Sequence, residues 1–314
     1  MTDTTNAENP AKVDSCDLAT AGEKASSREY ATVLEVCSQD GGATIAQVKD
    51  AFGKLAPQGE KAVLPQRFIN DLKNRGALVW TEGRTWATSD YGKCLLCELK
   101  ADEEGMVVSQ MRVRTDIYGL LARIFRVEAD QELLDLLESI SGQASTDQMS
   151  RGLSAMVAWL GAPEADPLRA LAIDYVKAFI GTGIDGHEAA YPFESAYVSE
   201  KHLLMQESRD EVLAIYLSED LGRAPSWKVG EDHVALELEF MQTMARRTAE
   251  ALEAGNEPEA DRLLDVQRNF LHDHLGAWVP AFAQDIRSFA QTSFYRGAAD
   301  MLEGFTNADI EYLG

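Results

Sequence analysis

The chain has 314 residues, 45% of them hydrophobic and 26% charged, which describes an ordinary globular protein with room for two domains and excludes a wholly disordered one. No apolar run approaches the ~20 residues that a bilayer crossing needs, and residues 1–27 lack the basic start and apolar core of a signal peptide, so a disordered tail and a cytoplasmic location are expected. The net charge of −23 is unevenly spread: residues 27–100 hold ten basic and nine acidic side chains, residues 101–314 seventeen and thirty-eight. The acidic part repels nucleic acid and membrane surfaces and favours a cationic partner, although plain solubility explains the charge equally well.

The first compact set covers residues 28–100. A helix over 29–38 carries Tyr30, Val33, Leu34 and Cys37 at helical spacing and is broken by Gly41 and Gly42. Thr44 and Gln47 form a capping box that opens a second short helix. Pro57 and Gly59 make a turn, and a third helix over 63–75 presents Phe68, Ile69 and Leu72 on one side with Arg67, Lys73 and Arg75 on the others. Two β-prone runs, 77–80 and 85–88, flank Glu82-Gly83 and read as a hairpin. A last helix spans 89–99. Within it Cys94-Leu-Leu-Cys97 has the spacing of a metal or redox pair, but a zinc site needs a second ligand pair, and the nearest histidine is His187. Core thiols are the expectation.

Three helices, a hairpin and a closing helix resemble the winged helix-turn-helix fold, whose third helix often reads DNA in the major groove. The near-zero charge of this set supplies little counterion-release drive, so DNA is not expected as a partner and a protein-contact role is favoured. A polar linker is expected over 101–109. Beyond it the sequence runs helix after helix, with apolar stripes such as Ile117, Leu120, Leu121, Ile124 and Phe125, or Leu168, Leu171, Tyr175, Val176 and Phe179. Ser208 and Glu211 suggest another capping box, and a long helix over 233–253 ends at Gly255-Asn256. The helical domain is placed at 110–305, with a tail over 306–314.

Two irregular stretches interrupt the helices, 181–197 and 222–233, both rich in aromatic residues, proline and acids. Asp232 is suited to cap the following helix, and His233, beside Glu231 and Asp232, is expected to stay protonated. His274 falls on an apolar face with Phe270 and Leu271 and reads as a packing histidine. No phosphate-binding loop, dinucleotide fingerprint, nucleophile elbow or zincin motif is present, so neither enzyme chemistry nor a cofactor or metal is expected.

At these stretches the chain resembles the TorD/DmsD/NarJ family of redox-enzyme maturation chaperones. Tyr191-Pro-Phe-Glu-Ser-Ala-Tyr197 is similar to that family's P-x-E-S-x-Y-like segment, and Asp174-Tyr-Val-Lys-Ala-Phe179 to its Y-x-x-L-F element. Residues 230–241 resemble the stretch with the E-P-x-D-H motif, although Val229 and Gly230 stand where Glu and Pro are usual. Residues 270–282, with His274, Trp278 and Phe282, look like the closing H-L-x-x-W-x-x-x-F element. The resemblance implies an all-α, TorD/DmsD-like bundle behind the winged-helix-like domain. It also implies a chaperone that binds the twin-arginine signal peptide of a molybdenum-cofactor oxidoreductase precursor until the cofactor is inserted. Glu194, Glu231 and Asp232 are expected to meet the arginines, with Tyr191, Pro192, Phe193, Ser195, Tyr197, Trp227 and His233 shaping the groove. The same acids read equally well as helix caps, and Phe193 and Tyr197 as core. A transcription regulator, with the front domain on DNA and the helical domain as sensor, is the alternative.

Overall fold

The computed structural model describes residues 27–55, 64, 66–140, 147–161, 166–181, 189–199 and 207–314. Of the expected tail over 1–27, Ser27 begins the first helix and the rest lies outside the described residues, as do the turn at Pro57 and Gly59 and His187. The chain divides into two compact units, Met1–Val107 and Val108–Gly314.

In the first unit, helices α1 (Ser27–Cys37), α2 (Ile45–Gly53) and α3 (Gln66–Asn74) precede strands β1 (Leu78–Trp80) and β2 (Trp86–Thr88), followed by the start of α4 (Asp90–Arg126). The Thr44–Gln47 capping box forms in both directions. The strands pair antiparallel, with Leu78 opposite Thr88 and Trp80 opposite Trp86. Leu34, Val48, Phe52, Phe68, Ile69, Leu72 and Leu78 make one apolar core. Thr88 seals it by donating its hydroxyl to the Leu34 carbonyl at 2.7 Å. Gly42 sits at φ +72°, and a Cβ there would lie 2.5 Å from the Trp86 carbonyl oxygen, so glycine is required where the loop touches β2.

Two expectations fail along α4. Cys94 and Cys97 are exposed rather than buried, because Leu95 and Leu99 form the inward stripe and leave both thiols outside it. Residues 101–109, within which the two units divide, are helix rather than an irregular linker. Ala101 to Glu104 are competent helix residues, and Gly105 alone, costing about 1 kcal/mol, is too weak to break a 37-residue helix.

Among the described residues of the second unit, every regular element is a helix. After α4 come α5 (Gln131–Ile140), α6 (Gln148–Leu160), α7 (Pro167–Tyr175) and α8 (Ser195–Val198). They are followed by α9 (Glu207–Ser218), α10 (Val234–Glu253), α11 (Glu257–Phe270), α12 (Gly276–Phe289) and α13 (Ser293–Leu313). Wider π-helical turns extend α7 over Val176–Ile180 and join α11 to α12 over Leu271–Leu275. Helices α6 and α13 meet at two glycines, where a Cβ on Gly152 would lie 2.4 Å from the Gly297 carbonyl oxygen. The proposed capping box at Ser208 does not form: Ser208 is buried inside α9 and its hydroxyl has no partner.

The last residues are not a tail. Phe305, Thr306, Asp309 and Leu313 are buried in α13. Asp309 accepts from Arg114 Nε at 2.5 Å and Nη2 at 2.8 Å, and from the Tyr118 hydroxyl at 2.5 Å. Removing one partner of such a buried pair leaves an unpaired charge. Asp309→Ala is expected to lower the stability of the helical unit by about 3–5 kcal/mol in urea denaturation; a loss under 1 kcal/mol would contradict the arrangement. In alkylation followed by mass spectrometry, Cys94 and Cys97 are expected to react readily. Cys37, whose thiol burial pushes up to about 11, should stay protected until the unit unfolds.

Candidate functional site

The two irregular stretches lie side by side. Val234 N–H donates to the Pro192 carbonyl at 2.9 Å and Glu194 N–H to the Asp232 carbonyl at 2.9 Å, so Phe193 and His233 pair as an antiparallel bridge. The Asp232 side chain reinforces the junction: its Oδ2 accepts from Ser195 N–H at 3.1 Å and from the Ser195 hydroxyl at 2.5 Å. Asp232 is fully buried, and its Oδ1 has no hydrogen-bond partner. A Cβ at Gly230 would come within 2.6 Å of that oxygen, so glycine at this departure from the family motif makes room for it.

Asp232 is not the cap of α10. His233 is, accepting from Ala235 N–H through Nδ1 at 3.1 Å. An acceptor nitrogen carries no proton, so Nε2 bears the hydrogen. Burial, with the charge of Arg126 adding to it, lowers the pKa of His233 to about 3. The expected imidazolium is therefore a neutral ring. Desolvation outweighs the two neighbouring acids because both are turned to partners of their own.

The three acids expected to meet arginines are all buried. Glu194 lies 3.1 and 3.2 Å, through its two oxygens, from His274 Nδ1. Glu231 pairs with Arg209 Nε at 2.6 Å and Arg223 Nε at 2.8 Å. Burial alone would raise its pKa, but the Arg209 hydrogen bond and the charges of both arginines hold it below the usual carboxylate range. Beneath them Glu237 accepts from Trp278 Nε1 at 3.0 Å. Burial, then the charge of Glu194, raises the pKa of Glu237 well above the usual carboxylate range. Tyr197 stacks on Trp278 with ring centroids 5.5 Å apart and donates its hydroxyl to Asp285 at 3.1 Å. These residues are the floor under the site, not its surface.

The surface is a groove of about 610 Å³ in the second unit. Tyr191, Pro192 and Phe193 form one wall and Trp227 to Val229 another, with Phe179 and Ile180 of the π-helical turn, the end of α4, and His233 closing the rest. Three aliphatic side chains stand open at it: Ile180 is 56% exposed, Val127 49% and Val229 41%. Among the described residues Glu128 is the one acid lining it, against Arg126 and Lys228. The groove is thus aromatic as expected, but its acidic part is sunk and internally neutralised. Arg209 and Arg223 escaped the sequence reading because nothing in their local pattern marks them as partners of Glu231. Val176, on the stripe expected to be buried, and Ile180 just beyond that stripe are both turned toward solvent by the π turn.

A family model described as the nitrate reductase delta subunit matches residues 143–284. The chaperone protein TorD of Vibrio atlanticus is 26% identical over 208 residues, which cover 64% of this chain and 94% of that protein. The chaperone protein TorD of Vibrio vulnificus is 27% identical over 212 residues, with the same shares.

The neutral His233 carries a consequence for acid stability. The unfolded chain takes up its proton near pH 6.5 and the folded chain only near 3, so below 6.5 the unfolded state binds more protons and acid favours it. Between those values this histidine is expected to remove stability at about 1.4 kcal/mol per pH unit. His233→Asn, which keeps an N-cap acceptor without a titrating ring, should flatten the unfolding-against-pH curve relative to the native chain. Parallel curves from pH 7 to 5 would mean that the ring is not held neutral.

Proposed function

We propose that this chain, a member of the TorD/DmsD/NarJ family of redox-enzyme maturation chaperones, holds the precursor of a molybdopterin-dependent oxidoreductase by its twin-arginine signal peptide. It does so in the cytoplasm, until the cofactor is in place and export can proceed. It is not an enzyme; its relatives bear the name of chaperones. Among the described residues no helix is long and apolar enough to cross a membrane.

The observation that carries the reading is the groove itself. Its two walls come from the two stretches that resemble the family's motifs, and its open aliphatic side chains offer apolar surface to an apolar stretch of peptide. A signal peptide joins such a stretch to a cationic start, and the second unit's large excess of acids favours the approach of that start. Tyr191, Phe193 and Trp227 supply rings against which the peptide packs. Glu194, Glu231, Asp232, Ser195 and Tyr197 act one layer down, fixing the walls. The front unit is read as a protein-contact module: its outer face carries the Trp80–Trp86 ring pair, with Trp80 55% exposed.

Ile180→Asp tests the groove without touching its floor. Losing a buried aliphatic contact costs about 1.5–3 kcal/mol, so affinity for a synthetic twin-arginine signal segment of a molybdopterin oxidoreductase precursor should fall about tenfold or more in isothermal titration. Because Ile180 is exposed, the unfolding midpoint should hardly move. Affinity should also fall as salt rises. Unchanged binding by Ile180→Asp would remove the groove from the function.

A further inference from the structure

We propose that Arg126 occupies, in the free protein, the subsite where the groove receives a guanidinium from its client. The inference rests on the twin-arginine reading and names where in the groove an arginine sits.

Arg126 is the last residue of α4 and lines the groove. Its guanidinium carbon lies 5.3 Å from the Trp227 ring centroid. It also forms an ion pair with Glu239 of α10. An aromatic face beside a carboxylate is the arrangement that suits a planar, delocalised cation, and it suits lysine less well. Trp227 is kept in position by its indole N–H, which donates to the Gly230 carbonyl at 3.4 Å, and by its own carbonyl, which accepts from Arg223 at 2.6 Å.

The three buried acids of the site cannot play this part. Glu194 and Asp232 are buried and held by His274 and Ser195, and Glu231 already carries two arginines. The Arg126 and Glu239 side chains, by contrast, are 37% and 33% exposed, so their pairing opens without breaking the core. An incoming arginine would exchange with Arg126 on the same two partners. The exchange adds no new kind of contact, and the competition raises the threshold for binding. A peptide with an apolar stretch and no guanidinium cannot displace Arg126 from Glu239 and gains only the wall contacts.

Arg126→Gln, alone and with Glu239→Gln, tests this in the full chain at pH 7.5 and low salt. A partly exposed cation–π contact and ion pair that no longer compete correspond to roughly three- to tenfold tighter binding of the twin-arginine peptide by Arg126→Gln. A twin-lysine version of the peptide should gain less. The double variant should lose the gain, and unfolding midpoints verify that each variant is folded. A small probe, N-acetyl-arginine amide, followed by tryptophan fluorescence, should bind Arg126→Gln more tightly than the native chain and lose that advantage in the double variant. If the native chain binds the twin-arginine peptide but Arg126→Gln binds it equally or more weakly, Arg126 is not a stand-in and the inference falls alone. If no form binds the peptide while the small probe behaves as stated, the client assignment falls and the guanidinium subsite stands. If no form binds either the peptide or the probe, both fall.

Discussion

The Asp232 carboxylate ties together two stretches of chain that would otherwise be separate loops. Through Oδ2 it holds both the amide and the hydroxyl of Ser195, while its carbonyl takes the Glu194 amide. Those bonds place Phe193 against His233, with ring centroids 5.0 Å apart, and His233 against Trp227 at 5.1 Å. Both groove walls therefore hang from one fully buried acid. A buried carboxylate with an unpartnered oxygen is costly, and it persists here because the neighbouring backbone over-determines its position. The same junction aims Glu194 inward at His274, which locks the closing helical element to the first motif.

Elsewhere in the second unit the acidic sequence is managed by the same device. Glu231 takes Arg209 and Arg223, Glu219 takes Arg262 at 2.7 Å, and Asp309 takes Arg114. Each pair matches a desolvated carboxylate with a guanidinium that reaches it from another element, at sequence separations from 8 to 195 residues. These three carboxylates take four of the seventeen basic residues in this part, so the remaining acids still far outnumber the remaining cations, while the groove lining sets Arg126 and Lys228 against Glu128.

Helix type and order were legible because apolar spacing at three and four residues is a local signal; α10, for example, ends where Gly255 adopts φ +67°. The four motif-like segments were legible as a set because they recur in the family's order, and two of them meet at the Phe193–His233 bridge. What stayed hidden was depth. An acid beside a motif looks the same in sequence whether it faces solvent or a partner such as His274, 80 residues away. The linker over 101–109 was misread because charge suggests exposure and says nothing against a helix. The C-terminal tail was misread because Asp309 looks solvent-bound until Arg114 and Tyr118 are brought against it, and Thr306 until its hydroxyl is turned onto the Leu302 carbonyl. Cys94 and Cys97 failed by one helical step, which carried them off the inward stripe.

Asp174, at the base of the π-helical turn, accepts from Gln291 N–H and Thr292 N–H, each at 2.8 Å, across separations of 117 and 118 residues. That turn delivers Phe179 and Ile180 to the groove. On a ribosome adding about 5–20 residues per second, roughly 6–25 s separate the synthesis of Asp174 from that of its partners. During that interval the groove wall lacks its anchor. The groove wall is thus completed only when the start of α13 has emerged and docked.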